Sequence, residues 1–136
     1  MDSGKAVDVF GRMVHGLGGP VDFIEKYDSY LPKANIIRPV YLEGEGYVSS
    51  MNTREVGVSV VQLGGGRKVP TDPIDYSVGI TGICALGDHI TPDRPIAMLH
   101  ANDESSWNQA DAMLRSAIKI SDSKPEEHPC VYHRIG

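Results

Sequence analysis

The chain has 136 residues, 40% hydrophobic and 23% charged, with a formal net charge of −5. That length suits a chain able to bury a real core without disulfides or metal, and a mildly acidic balance gives no electrostatic reason to expect nucleic acid or an anionic membrane as a partner. No window approaches the roughly 20 continuous apolar residues of a membrane span.

The stretch from Met1 to Lys5 has no apolar signal segment. The two cysteines, Cys84 and Cys130, lie far apart and form no CxxC pair. Such isolated thiols point to a reducing compartment, so a cytoplasmic protein is expected.

In chain order, residues 3 to 17 carry helical spacing. Ala6, Val7, Phe10, Met13, Val14 and Leu17 recur at steps of three and four and share one face. Ser3 is the expected N-cap, and Gly18-Gly19-Pro20 ends the helix because proline cannot continue it. A second short helix places Phe23, Ile24, Tyr27, Tyr30 and Leu31 on one side and closes at Pro32. Together they make a helical hairpin with an uncovered apolar face.

The character changes at Asn35. Ile36, Ile37, Val40, Tyr41 and Leu42 read as a strand, with Pro39 indicating a bulge or an edge position. Gly44-Glu45-Gly46 turns into a second strand from Tyr47 to Met51. Asn52 with Glu55 three residues on is a capping-box variant opening a helix that stops at Gly64-Gly65-Gly66. The run from Ile74 to Ile80 alternates apolar with small or polar residues, which predicts a half-buried strand.

Turns at Gly87-Asp88 and Pro92 to Pro95 precede a strand from Ile96 to His100. A last amphipathic helix starts near Asp103, with Trp107, Ala110, Met113, Leu114, Ala117 and Ile118 on its apolar face, and fades at Asp122 to Pro125. The tail from Val131 to Ile135 suits one final strand. The expected fold is α+β, a helical hairpin followed by β-β-α-β-β-α-β with a mixed or antiparallel sheet. A seam is expected at residues 32 to 35, separating a hairpin over 1–34 from a domain over 35–136.

Among the candidate sites, Gly64, Gly65, Gly66, Arg67 and Lys68 are the most suggestive. Three glycines expose backbone N–H groups and two cations follow, a composition able to cradle phosphate. The loop leaves the C-terminal end of a helix, however, which is the wrong pole for an anion. No Walker or GxGxxG motif accompanies it.

His15, His89, His100, His128 and His133 fall in no zinc spacing, so no metal is expected, nor any cofactor. Asp72, Asp75 and Asp88 read as solvated or hydrogen-bonded structural residues, and both cysteines as small buried apolar groups. No GxSxG is present. The residues by themselves contain no catalytic constellation.

Several stretches in order resemble one family. They are Ser3 to Ala6 with Phe10 to Val14; Gly18-Gly19-Pro20 with Asp22-Phe23 and Tyr30-Leu31-Pro32; and Thr53-Arg54 with Leu63 to Arg67. They continue through Asp72 to Gly79, Leu86-Gly87-Asp88, Arg94 to Ala97, His100 to Glu104, and Val131 to Ile135. Over essentially its whole length the chain resembles the C-terminal portion of bacterial thymidine phosphorylases, within the pyrimidine nucleoside phosphorylase family.

The resemblance implies a C-terminal α/β-hammerhead domain over 35–136, preceded by a hairpin over 1–34 from the end of the large α/β domain. It implies a pentosyltransferase in pyrimidine nucleoside salvage, a homodimer when intact. Inorganic phosphate attacks the anomeric carbon of thymidine, giving thymine and 2-deoxy-D-ribose 1-phosphate. The family's catalytic groups lie in upstream domains, so no catalytic residue carries over and this chain alone is expected to be inactive.

One role does carry over. The loop from Gly64 to Lys68 resembles a segment that packs toward the cleft on domain closure, which implies gating. Two other readings compete. One is a broader pyrimidine nucleoside phosphorylase that also accepts uridine; Tyr76-Ser77 and the ending from Val131 to Ile135 favour the thymidine branch. The other is a barrel-sandwich binding module, for which no Met-Lys-Met or hairpin-tip lysine is present.

Overall fold

A computed structural model of the chain describes residues 3–126 and 133–134. It divides into two compact units, Met1–Lys33 and Ala34–Gly136.

The first unit holds α1 (Lys5–Gly16) and α2 (Phe23–Tyr30). Ser3 does not cap α1. The N-cap is Gly4, at φ +73° and with no side-chain hydrogen bond, a backbone shape that glycine adopts without strain. At the other end the Gly18 N–H donates to the His15 carbonyl and the Gly19 N–H to that of Val14, both at 2.9 Å, which is the paired Schellman arrangement. A Cβ on Gly19 would lie 2.6 Å from Val14 Cγ1, so this joint requires glycine. Phe10 meets Phe23 edge-on at 6.2 Å, and Phe23 stacks on Tyr30 at 6.4 Å. Phe10, Met13 and Leu17 nonetheless stay exposed.

The second unit contains β1 (Ile36–Val40), β2 (Gly46–Met51), α3 (Thr53–Leu63), β3 (Gly79–Thr81), β4 (His89–Ile90), β5 (Ala97–Ala101), α4 (Glu104–Ala117) and β6 (Ile118–Ser121). Its strands form two three-stranded sheets, ordered β1-β5-β3 and β4-β2-β6. Every described pairing is antiparallel. The fold is therefore α+β, with the antiparallel arrangement of its strands. Pro39 does sit on an edge strand, where its missing N–H breaks no interior ladder. The core gathers Val40, Val48, Ile90, Leu99, Leu114 and Ile118 from both sheets and α4, with Ile96 from the bend just before β5.

Three elements differ from the pattern. The alternating run from Ile74 to Ile80 is a strand only from Gly79 onward; residues 74–78 form a loop and a turn. There Asp75 Oδ1 accepts from the Ser77 N–H at 2.9 Å and from the Ser77 hydroxyl at 2.6 Å, so local side-chain bonds replace a ladder. Second, α4 stops at Ala117, and Ile118 belongs to β6. Its sequence Ile-Lys-Ile alternates, and Ile118 pairs with Met51 while Ile120 pairs with Val48. Third, a two-residue strand, β4, forms after the Gly87-Asp88 turn. Of the expected strand at 131–135, residues 133 and 134 are described and belong to no strand, while 131, 132 and 135 lie outside the described residues, as do Cys130 and His128.

Both helices of this unit carry side-chain N-caps, although the capping box expected at Asn52 and Glu55 forms only its first half, because the Asn52 N–H is taken by the Ala117 carbonyl. Asn52 Oδ1 accepts from the Glu55 N–H at 3.3 Å and Asp103 Oδ1 from the Ser106 N–H at 2.9 Å. The Asn52 N–H goes to the Ala117 carbonyl at 2.8 Å, tying the start of α3 to the end of α4.

Asp103 is held below the ordinary carboxylate range, first by the Ser106 N–H and then by the Ser106 hydroxyl. A depressed folded pKa means that its stabilisation is present above the unfolded value of about 3.8 and disappears as pH falls through the folded value. Asp103→Ala should lower the melting midpoint at neutral pH. The gap from the parent chain should close on acidification below pH 4 or so; a gap independent of pH between 6 and 2.5 or so contradicts the cap assignment.

Candidate functional site: a braced glycine loop

The Gly64 to Lys68 segment is built by the end of α3. Gly64 sits at φ +98°, its N–H donating to the Val61 carbonyl at 3.1 Å while the Gly65 N–H donates to that of Val60 at 3.0 Å. This again is the Schellman pair, so the expected helix stop is present. A Cβ on Gly65 would lie 2.9 Å from Val60 Cγ1, and one on Gly66 would lie 2.7 Å from Val61 Cγ2. The loop therefore folds back tightly on its own helix.

The backbone where the two cations leave the glycines is not an empty anion cradle. Asp72 Oδ2 accepts from the Lys68 and Val69 N–H groups, both at 3.0 Å, so a carboxylate of this chain already fills that backbone concavity. Lys68 Nζ donates to Gln62 Oε1 at 2.7 Å, back on α3. Arg67 is exposed and has no hydrogen-bond or ion-pair partner among the described residues.

At the far end the Asp75 N–H donates to the Gly64 carbonyl at 3.0 Å, which brings the ends of the loop together. The Asp75 carboxylate also meets Asn102, whose Nδ2 donates to Asp75 Oδ2 at 2.6 Å and to Ser77 Oγ at 2.8 Å. These bonds, those from Ser77 first, hold Asp75 below the usual carboxylate range. Asp88 has a parallel task elsewhere: its Oδ2 accepts from the Ala85 N–H at 3.0 Å and from Arg94 at 3.2 Å. All three carboxylates organise loops.

The remaining candidates are dispersed. His100 faces Thr81 Oγ1 at 2.8 Å across the β3–β5 pair, and His15 lies 3.4 Å from the Gly19 carbonyl. Cys84 is buried, and burial pushes its thiol up, away from nucleophile chemistry. No cluster of three His, Cys, Asp or Glu side chains able to hold a metal occurs among the described residues. None of the described helices is long and apolar enough to cross a membrane. Sequence reasoning missed Asn102, Ser77 and Asn35 as a group. Only Asp75-x-Ser77, the Asx-turn spacing, signalled them.

Two small antiparallel sheets, two capped helices and one braced glycine loop define an α+β domain whose polar residues shape a loop. The family model described as the pyrimidine nucleoside phosphorylase C-terminal domain matches residues 47–121, more than half of the 136-residue chain. The chain belongs to the pyrimidine nucleoside phosphorylase family and carries its C-terminal domain. The match runs from β2 to the end of β6 and includes the whole loop.

Proposed function

We propose that this chain is the C-terminal portion of a thymidine phosphorylase, a cytoplasmic pentosyltransferase that is a homodimer when intact. It converts thymidine and inorganic phosphate to thymine and 2-deoxy-D-ribose 1-phosphate. The observation that carries this reading is the family match over residues 47–121, together with the ordered resemblance outside that span. In this reading the chain supplies no reacting group. Its loop from Gly64 to Lys68 closes over a cleft built by upstream domains and excludes water during attack on the anomeric carbon.

The braced loop geometry supports a gating role more than direct phosphate binding. The N–H groups of Lys68 and Val69 are occupied by Asp72, and Lys68 is engaged with Gln62. Exposed Arg67 is the cation left to face the cleft. Tyr76, 80% exposed beside the clamped Asp75, favours the thymidine branch by resemblance; a phosphorylase accepting uridine equally is the competing reading.

The test is a phosphorolysis assay with thymidine and uridine on this chain and on the intact enzyme. The chain alone is expected to release no thymine, and the intact enzyme to prefer thymidine. Phosphate-dependent thymine release by the chain alone refutes the division of labour, and equal use of uridine refutes the narrower specificity.

A further inference from the structure

Asn102 occupies the joint between β5 and α4, and its side chain is engaged on both sides. Besides its two donations to Asp75 and Ser77, its Oδ1 accepts from the Asn35 N–H at 2.9 Å. Its backbone carbonyl lies 3.5 Å from Asn35 Nδ2. The oxygen and nitrogen of the amide are therefore oriented by the network itself, since Nδ2 faces only acceptors.

The residues flanking Asn102 are held for independent reasons. Ala101 is fully buried and pairs with Ile36 in the β1–β5 ladder. Asp103 caps α4 through Ser106. A short, rigid side chain thus reaches from a fixed joint to the base of the glycine loop.

The loop is braced within itself. Residues 64–75 form an Ω-type loop whose ends meet where the Asp75 N–H donates to the Gly64 carbonyl. Inside it, Asp72 accepts from Lys68 and Val69, and the Asp72 N–H donates to the Val69 carbonyl at 3.0 Å. Among the described residues, the side-chain hydrogen bonds from Asp75 and Ser77 to the β5–α4 joint all run through Asn102.

We infer that Asn102 is a positioning residue for the 64–75 loop, holding its base against the sheet so that the loop moves as one braced piece. The structural content stands on the network above; its bearing on catalysis rests on the gating role proposed for this loop. A wandering base would let the tip sample many positions, and closure would have to select one of them at an entropic cost. Asn102 does not touch substrate in this assignment; it acts through Asp75 and Ser77.

Hydrogen exchange read by mass spectrometry on the 136-residue chain tests this directly. Asn102→Ala removes the clamp. Asn102→Asp keeps its shape and the acceptor for Asn35, but sets a second carboxylate against Asp75, and serves if the alanine variant folds poorly. In either variant, amides of residues 64–77 should exchange about tenfold faster, the scale of losing a hydrogen bond to a charged acceptor. Amides of β2 and β6 should be unchanged.

Adding Asp75→Asn to Asn102→Asp returns one donor and one carboxylate to the pair and should restore most of the protection. Unchanged loop exchange in the single variants, a rise shared equally by β2 and β6, or a double variant as loose as Asn102→Asp would each overturn the assignment. In the intact enzyme, a looser loop with lower kcat/KM supports both the clamp and the gate. A looser loop with unchanged phosphorolysis upholds the clamp and overturns the gating role.

Discussion

Replacing Leu99 by alanine is expected to lower the unfolding free energy of this chain by about 2–5 kcal/mol. Leu99 is fully buried in β5, the central strand of its sheet, and pairs with Arg38 on one side and Ile80 on the other. Truncation loses the transfer free energy of the removed methyl groups and leaves a cavity. The surroundings cannot collapse into it easily. Backbone ladders fix β5 on both sides, and Val40, Ile96 and Leu114 belong to the same core.

Urea unfolding followed by far-ultraviolet circular dichroism measures this effect, the midpoint falling with the slope unchanged. A loss below about 1 kcal/mol would place Leu99 outside the cooperative core. A comparable truncation at Leu17, 88% exposed, should cost little in the same chain and provides the contrast.

The second large effect concerns the loop in the intact enzyme. Gly64→Val should reduce kcat/KM for thymidine phosphorolysis on the order of tenfold or more, if the loop gates the cleft as proposed. Gly64 sits at φ +98°, where an L-residue is strained by about 1–2 kcal/mol and a β-branched one by more. Relief of that strain would break the Gly64 and Gly65 hydrogen bonds to α3 and shift the loop.

Gly57 supplies the control. It lies exposed within α3, with open space where a Cβ would sit. Gly57→Ala should stabilise the helix by about 0.5–1 kcal/mol and leave phosphorolysis unchanged. Full activity in Gly64→Val, with the loop shown to be displaced, would remove the gating role.

Much of the local structure is legible because its cause is local. Asn52 three residues before Glu55 caps α3 through a backbone N–H whose position follows from helix geometry alone. Gly64 and Gly18 end their helices because few other residues accept the left-handed conformation needed there. Pro39 marks an edge strand because it cannot donate to a second ladder.

The errors lie where one pattern admits two partners. The alternation from Ile74 to Ile80 suits a strand, but Tyr76 is left outside, and the Asp75 and Ser77 side chains satisfy the turn themselves. Ile118 falls on the apolar face of α4 by spacing, yet β2 offers a ladder, and Met51 takes it as a strand residue. Helical periodicity cannot reveal that neighbour.

The candidate site divides the same way. That Gly64 to Gly66 end a helix and are followed by two cations, Arg67 and Lys68, was decided by the sequence, since glycine flexibility and charge belong to the residues. That Asp72 fills the backbone concavity, and that Asn102 clamps Asp75 and Ser77 from 27 and 25 residues away, only the tertiary structure decided. Those bonds exist because β5 pairs with β3 and carries its C-terminal joint to the base of the loop. Strand pairing over such separations depends on how the whole core closes, which no single stretch of sequence encodes.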